Sequence, residues 1–225
     1  MLILTIDNSM DLLNIGLAQG EALIEERNLK EPRPSEIIAH AVSDILSHNA
    51  QTIENVDAIF VTLGPGSFTG VRVCLAFSKG MSSALKIPLV GVSTLDVLAM
   101  SLVHLEETYL CPLIDAKKGE VFRALYFASK GTLTRLTDYR AVKPEAVTDM
   151  VKTPCVFFGT GLRVCEDVLS TIGGVTLEKD HYTTVSARSL LKTGLAAMGA
   201  RSGGRIIPIY GRRSEAEIKF NVTVD

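Results

Sequence analysis

The sequence predicts an α/β fold of two lobes, related by internal duplication, in which mixed β-sheets are flanked by helices. Three observations lead to this prediction. A short apolar run at 58–63, typical of a buried strand, leads through a glycine-rich turn into a run with helical spacing. Two segments, beginning at residues 2 and 109, share the order strand, acidic turn, strand. Strand-to-helix crossings follow each of them.

The first half of the chain supplies a hairpin, three further strands and three helices. Residues 2–6 predict a strand, 13–18 its antiparallel partner across a polar turn, and 23–29 a third strand. Ser35 is expected to cap a helix with this apolar stripe: Ile37, Ile38, Ala41, Val42, Ile45 and Leu46. After the strand 58–63 come a helix at 68–86, a strand at 87–92 and a helix capped by Ser93 or Thr94.

The second half repeats this order. The predicted elements are a strand at 109–114, a turn at 115–120, strands at 121–127, 133–142 and 156–158, helices at 162–172 and 187–200, and an extended surface segment at 206–213. Ser186 is expected to cap the last helix. Because composition turns polar near 103–108, we predict lobes at 1–104 and 105–225.

The glycine-rich turn at 63–72 has two interpretations. Its glycines, Gly64, Gly66 and Gly70, permit close backbone approach, so the turn could face a phosphate at the helix start. The alternative is a tight turn with Ser67 or Thr69 capping the helix. The spacing fits neither a Walker A loop, which needs Gly-Lys-Ser/Thr, nor the dinucleotide-binding fingerprint. We expect the glycines to serve mainly close packing and presentation of the helix.

Each hairpin carries an acid, Asp7 in the first lobe and Asp115 in the second. Such an acid could hold a phosphate-bound Mg²⁺, directly or through water. The alternative is an ordinary turn residue that bonds its own backbone. We therefore group both acids with Gly64, Gly66, Ser67 and Gly70 as structural-turn or phosphate-binding candidates.

Bulk properties narrow the function. The 225 residues are 47% hydrophobic and 21% charged with a formal net charge of −2, so no overall basic field attracts RNA. The four cysteines are scattered and predict buried, reduced thiols. No pair of histidines has zinc-site spacing, so we predict no metal site. The absence of a leader or a long apolar run predicts a cytoplasmic protein without membrane contact.

Two lobes of this plan resemble the actin, sugar-kinase and heat-shock ATPase superfamily, whose members hold nucleotide between the lobes. More specifically, the chain resembles the TsaB (YeaZ) family of tRNA threonylcarbamoyladenosine biosynthesis. The resemblance covers nearly the whole chain and rests on these motifs: Ile6-Asp7, the run Gly64 to Arg72, Gly91-Val92-Ser93-Thr94-Leu95, the run Ile114 to Phe122, Gly159-Thr160-Gly161 and Pro208-Ile209-Tyr210.

This resemblance implies a non-catalytic subunit that forms a heterodimer with the transferase TsaD, joined by the ATPase TsaE. TsaD modifies the adenosine next to the anticodon, so this chain would meet tRNA only through the complex. No cofactor would be intrinsic, although ATP or ADP with Mg²⁺ could bind at the complex interface. A homodimer is expected for the isolated chain. The competing hypothesis is an autonomous ATPase or small-molecule kinase that uses the interlobe cleft.

The resemblance also implies that the first-lobe helices form the partner surface. The residues assigned to it are Ser35, Ile38, Val42 and Ile45 on the first helix and Phe68, Arg72, Leu75 and Lys79 on the second.

Overall fold

The computed structural model describes residues 1–30, 33–179, 182–200 and 206–211. The first lobe is built on a five-stranded sheet of β1 (Leu2–Asp7), β2 (Leu13–Gln19), β3 (Ala22–Leu29), β4 (Ala58–Thr62) and β5 (Leu89–Val92). Its spatial order is β3-β2-β1-β4-β5. Strands β1, β2 and β3 form antiparallel pairs, whereas β4 lies parallel to both β1 and β5. This is the predicted mixed sheet.

Helices α1 (Pro34–His48) and α2 (Phe68–Leu85) pack on one face of that sheet and on each other. The apolar stripe of α1 meets the strands because its members recur every three or four residues. The shorter helix α3 (Thr94–Met100) follows β5 and packs on the second lobe.

Among its described residues the second lobe has seven strands: β6 (Thr108–Lys117), β7 (Glu120–Arg123), β8 (Tyr126–Ser129), β9 (Thr132–Arg135), β10 (Arg140–Val142), β11 (Cys155–Phe158) and β12 (Val175–Glu178). A 3₁₀ helix, Pro144–Met150, and α4 (Leu162–Leu169) connect β10 to β11 and β11 to β12. The main path runs β10-β7-β6-β11-β12. Because it matches β3-β2-β1-β4-β5 strand for strand and direction for direction, the predicted duplication is confirmed.

The last helix, α5 (Ala187–Gly199), crosses back to the first lobe. It packs on β5, β4 and β2 and on α3. Gly194 lies so close to the Phe60 ring that a Cβ would overlap with it, and Ala187 is equally close to Gly16. The predicted lobe 105–225 is therefore not one packing unit, because its final helix covers the first sheet.

The segment 206–211 also joins the lobes. The Ile209 N–H donates to the Leu63 carbonyl at 2.6 Å, and the Gly211 carbonyl accepts from the Ala141 N–H at 2.8 Å. The predicted surface segment thus links the end of β4 to β10. Arg212, Arg213 and the tail that follows lie outside the described residues.

Three buried apolar clusters hold these layers together. One fills the space between the two sheets around α3 and α5, and the other two lie under α1 and α2 and under α4. Burial of this apolar area is the main stabilising contribution. The four cysteines are buried and free, as predicted. None of the described helices is long and apolar enough to cross a membrane.

Several local predictions need correction. Ser35 does not cap α1, because Pro34 takes the first helical position and Arg33 precedes it. The predicted strand at 121–127 divides into β7 and β8, which pair with different stretches of β6. The one at 133–142 divides into β9, which pairs with β8, and β10, which pairs with β7. Strand β12 was not predicted. Ser67, Ser93 and Ser186 each accept an N–H of the helix that they precede, which identifies the caps.

Candidate functional site: the interlobe cleft and the first-lobe helix face

A cleft of about 1160 Å³ opens between the lobes. Its first-lobe wall comprises Ser9, Met10, Asp11, Gly66, Ser67, Phe68, Val71 and Arg72. Its second-lobe wall includes Ile114, Asp115, Ala116, Lys117, Phe122, Gly159, Thr160, Leu162, Arg163, Glu166, Lys179 and Thr183. Pro208, Ile209 and Tyr210, from the segment 206–211 that joins the lobes, complete the lining. The cleft is where the sequence resemblance expects a nucleotide.

Asp7 does not line this cleft. Its side chain is only 1% exposed, and its Oδ1 accepts hydrogen bonds from the Ser9 N–H at 3.1 Å, the Ser9 hydroxyl at 2.5 Å and the Thr62 hydroxyl at 2.5 Å. Burial raises the pKa of Asp7, although these hydrogen bonds act in the opposite direction. The contacts favour the interpretation of Asp7 as a turn residue that joins β1, β4 and the β1–β2 turn.

The glycine loop is packed against that same turn. The Ser67 N–H donates to the Ser9 carbonyl at 2.7 Å, and a Cβ on Gly66 or Gly70 would overlap with the carbonyl of Ser9 or Asn8. A Cβ on Gly64, whose φ is +90°, would lie 2.8 Å from the Ile209 carbonyl oxygen. The three glycines therefore allow backbone to approach backbone. These contacts favour the close-packing interpretation over a phosphate cradle.

Asp115 does face the cleft. Its carboxylate accepts from the Lys117 N–H at 2.8 Å and from the Lys117 ammonium at 3.1 Å. Partial burial raises its pKa, but these bonds outweigh that effect and leave the pKa below its ordinary value. The Asp115 N–H donates to the Thr160 hydroxyl at 3.2 Å, which joins the acidic turn to the glycine turn of the second lobe.

An aromatic and cationic cluster lies at the mouth of the cleft. The Arg72 guanidinium carbon is 3.7 Å from the centroid of the Phe68 ring, and Arg72 donates to the Tyr210 hydroxyl at 2.8 and 3.2 Å. Phe68 and Tyr210 are 56% and 44% exposed. We predicted Phe68 and Arg72 as partner contacts but assigned Tyr210 no role. The sequence signal for Tyr210 was its place in the motif Pro208-Ile209-Tyr210, on which the family resemblance partly rests.

The predicted partner-interface residues fall into two groups. Ser35, Phe68, Arg72 and Lys79 are exposed. The other four, Ile38, Val42, Ile45 and Leu75, are buried against the first sheet with at most 4% exposure. They cannot contact a partner in this fold, and that part of the prediction is wrong because the apolar stripe belongs to the chain's own core.

Beside charged side chains such as Glu36, Asp44 and Lys79, the exposed face of these helices carries small residues. On α1 they are Ala39, Ser43 and Ser47, and on α2 they are Ala76, Gly80, Ser83 and Ala84. Val73, Phe77 and Met81 of α2 are half-buried and lie beside this face. We call the exposed face with these three residues the α1/α2 face.

Comparison with known proteins places this geometry in a family. The family model of TsaD, tRNA N6-adenosine threonylcarbamoyltransferase, matches residues 32–220. The Bacillus subtilis tRNA threonylcarbamoyladenosine biosynthesis protein TsaB is 30% identical over 228 residues, which cover 98% of each chain. The Escherichia coli TsaB is 28% identical and covers 85% of this chain and 84% of its own.

A solved structure of YeaZ from Pseudomonas aeruginosa has the same fold, with a TM-score of 0.79 and 24% identity over 93% of this chain and all of that one. The two sheets and the cleft between them define a two-lobed protein of the actin and sugar-kinase class. Within that class, the chain belongs to the TsaD family and to its branch of TsaB (YeaZ) proteins.

Proposed function

We propose that this chain is a non-catalytic subunit of tRNA threonylcarbamoyladenosine modification, and that it acts in the cytoplasm by forming a heterodimer with the transferase TsaD. The observation that carries the proposal is the α1/α2 face. It is the outer surface of the two longest helices, and its small residues are those that let another helix approach closely.

The spacing of these residues suits helix packing. Ala39, Ser43 and Ser47 recur every four residues, as do Ala76, Gly80 and Ala84, so each set forms one ridge along its helix. A Cβ on Gly80 would have no heavy atom within 4 Å, so nothing inside the chain requires a glycine there. Val73, Phe77 and Met81 add apolar area that a partner could bury.

The partner is inferred from the family relationship between this chain and TsaD. Because the family model of TsaD matches most of this chain, the two proteins share a domain plan, and like domains can pair about a pseudo-twofold axis. TsaD would present the corresponding helices, so that four helices pack together. TsaE would join this pair, and tRNA would be bound through the complex. Without TsaD, a second copy of this chain would occupy the same face.

The cleft does not favour the competing function of an autonomous ATPase or kinase. Its size and the cation of Arg163 suit an anionic ligand, although Lys117 and Lys179 are already paired with Asp115 and Glu166. However, Asp7 is buried and bound to Ser9 and Thr62, and Asp115 is bound to Lys117, so neither is arranged to hold Mg²⁺ beside a phosphate. We derive no phosphoryl transfer at this cleft, and we propose that ATP or ADP with Mg²⁺ binds at the interface of the complex.

Substitution on the α1/α2 face tests the pairing. Ala76→Arg and Gly80→Arg should keep the fold, because both sites are exposed, yet they should weaken co-purification with TsaD by at least about tenfold through the blocked approach. Ala196→Arg, on the exposed side of α5, is the matched control and should bind normally. Circular dichroism would verify folding, and undiminished binding by both folded variants would overturn the proposed surface.

The role in the pathway needs a separate test. Depletion of this chain from cells should remove threonylcarbamoyladenosine from tRNA, measured by nucleoside mass spectrometry. Unaltered tRNA nucleosides would contradict the proposal. ATP hydrolysis by the purified chain that is lost in Asp7→Asn would instead favour the autonomous enzyme.

A further inference from the structure

A second, smaller pocket lies at the β10 edge of the second lobe and shares no lining residue with the cleft. Its volume is about 400 Å³, and it is lined by Arg123, Arg135, Leu136, Thr137, Asp138 and Arg140. Three of these six residues are arginines, and each carries a guanidinium group. This concentration of positive charge is unusual in a chain whose net charge is −2.

Two of the arginines face each other across the sheet. Arg123 of β7 and Arg140 of β10 are directly opposite in the antiparallel register. Like charges in such a pair destabilise a sheet. In the described part of the chain, Arg123, Arg135 and Arg140 have no carboxylate at salt-bridge distance. The fold therefore brings the positive charges together without a neutralising ion pair.

The donors of Arg123 are also poorly used. Its Nε is buried without a hydrogen-bond partner, and Nη1 has only a long contact of 3.4 Å to the Thr137 hydroxyl. Burial lowers the pKa of Arg123 and the charge of Arg140 lowers it further, whereas Cys111 and Asp149 act in the opposite direction. A buried N–H without an acceptor is costly unless a ligand supplies one.

The third arginine extends the same set of donors. The Arg135 guanidinium lies 4.2 Å from the centroid of the Tyr139 ring and makes only a long hydrogen bond, 3.4 Å, to the Thr137 carbonyl. The loop carrying Thr137 is fixed between the arginines because its hydroxyl accepts the Leu125 N–H at 2.9 Å. The pocket is thus a formed feature of the fold.

We propose that this three-arginine pocket binds a phosphate-type oxyanion. Guanidinium groups match such anions by paired N–H donors, and a tetrahedral anion has enough acceptors for several arginines at once. Asp138 also lines the pocket and opposes the anion, so its replacement should tighten binding. The anion is either a small free phosphate or a phosphate of an RNA backbone. The proposal goes beyond the pairing with TsaD and does not depend on it.

The test uses the full-length chain alone with two probes. Calorimetric titration with inorganic pyrophosphate, at ionic strength matched with chloride, measures small-anion binding, and a fluorescein-labelled RNA hairpin measures backbone binding. Arg135→Gln and Arg140→Gln, both at exposed positions, should each weaken binding about tenfold, since each removes charged hydrogen bonds. Arg188→Gln, an exposed site on α5, is the matched control and should bind as the parent chain does.

The outcomes separate the sources of the anion. Binding of both probes, lost in the same two variants, assigns the pocket to RNA phosphates, and each lost arginine should then reduce the salt dependence of hairpin binding by about one unit of slope. Binding of pyrophosphate alone assigns it to a small free anion. Asp138→Asn should tighten whichever probe binds. The proposal would be overturned if neither probe bound, or if a chain carrying both Arg135→Gln and Arg140→Gln bound a probe as tightly as the parent chain does.

Discussion

The two lobes share one strand order, yet their outer faces are covered differently. In the first lobe the connections on that face are α1 and α2, of 15 and 18 residues. The corresponding connections in the second lobe are a 3₁₀ helix of 7 residues and α4 of 8 residues. The corresponding five-stranded paths of the two sheets thus carry helices of different length, and α1 and α2 present the longer outer surface. That longer outer surface is the one that we propose for TsaD.

The two acidic turns also differ between the lobes. Asp7 is buried and accepts three hydrogen bonds from its surroundings, whereas Asp115 faces the cleft with Lys117. Their pKa values shift in opposite directions, Asp7 upward chiefly by burial and Asp115 downward through its hydrogen bonds despite burial. The two turns therefore share one backbone plan, but their acids have different roles. In the first lobe the turn is a packing element.

The largest expected effect tests whether the first-lobe turn is the more tightly packed. Gly70→Ala should lower the free energy of unfolding by about 3 kcal/mol, because the added methyl overlaps with the Asn8 carbonyl. Gly161→Ala in the second lobe should cost less, about 1–2 kcal/mol, because its methyl would lie 2.9 Å from the Val121 methyl and 3.0 Å from two backbone carbonyl carbons without overlapping a carbonyl oxygen. Urea denaturation measures both values.

Gly80→Ala provides the control for this pair. Its added methyl meets open space within a helix, so it should stabilise the chain by about 0.5–1 kcal/mol. If Gly70→Ala were as stable as the parent chain, the packing of the glycine loop on the β1–β2 turn would be refuted.

A second prediction concerns the contact that joins the lobes. Asp96 of α3 accepts the hydroxyls of Tyr126 at 2.7 Å and Tyr139 at 2.8 Å, both from the second lobe. Asp96→Ala should lower the free energy of unfolding by about 2 kcal/mol, because two hydroxyls lose a charged acceptor. Tyr139→Phe should cost less, about 1 kcal/mol. Equal stability of Asp96→Ala and the parent chain would show that the lobes do not depend on this contact.

The sequence predicts the architecture better than the surfaces. The apolar runs and the repeated acidic turn predict the two sheets, because the periodicity of apolar residues reflects which side of an element is buried. The resemblance indicated the partner-binding helices but not their faces. The assignment of Ile38 and Val42 was wrong because a stripe facing the chain's own sheet and one facing a partner have the same periodicity. The contact of Arg72 with Tyr210 joins residues 138 positions apart, and no local pattern records such a contact.

A third prediction uses pH to separate the acids. The raised pKa of Asp7 means that its contribution to stability is present below the ordinary value of 3.8 and is lost as the pH rises through the folded-state pKa. The lowered pKa of Asp115 has the opposite sign, with stability present above 3.8 and lost as the pH falls.

Asp7→Asn should therefore be at least as stable as the parent chain at pH 7, because no charge is buried. Asp7→Ala should lose about 1–2 kcal/mol because the Ser9 and Thr62 hydroxyls lose their acceptor. Asp115→Asn should cost less than about 1 kcal/mol, since its cationic partner Lys117 is exposed. Denaturant titrations at several pH values measure all three. A strongly destabilised Asp7→Asn would contradict the packing role.

The smallest expected effect concerns a hydrogen bond between a strand and a helix of the first lobe. Glu25 of β3 accepts from His48 at the end of α1 at 2.7 Å, and this bond is the main reason that its pKa falls to about 2. Because that value lies below the ordinary 4.5, the stabilisation is present above pH 4.5 and is lost as the pH falls towards 2.

His48→Ala should lower the free energy of unfolding at pH 6 by only about 0.5 kcal/mol, since the histidine is largely exposed to solvent and salt. It should also flatten the loss of stability between pH 4.5 and pH 2, whereas His40→Ala, which removes an exposed histidine near Asp44, should leave that part of the curve unchanged. If the two variants gave the same acid profile, the contact between β3 and α1 would contribute nothing to the difference between the lobes.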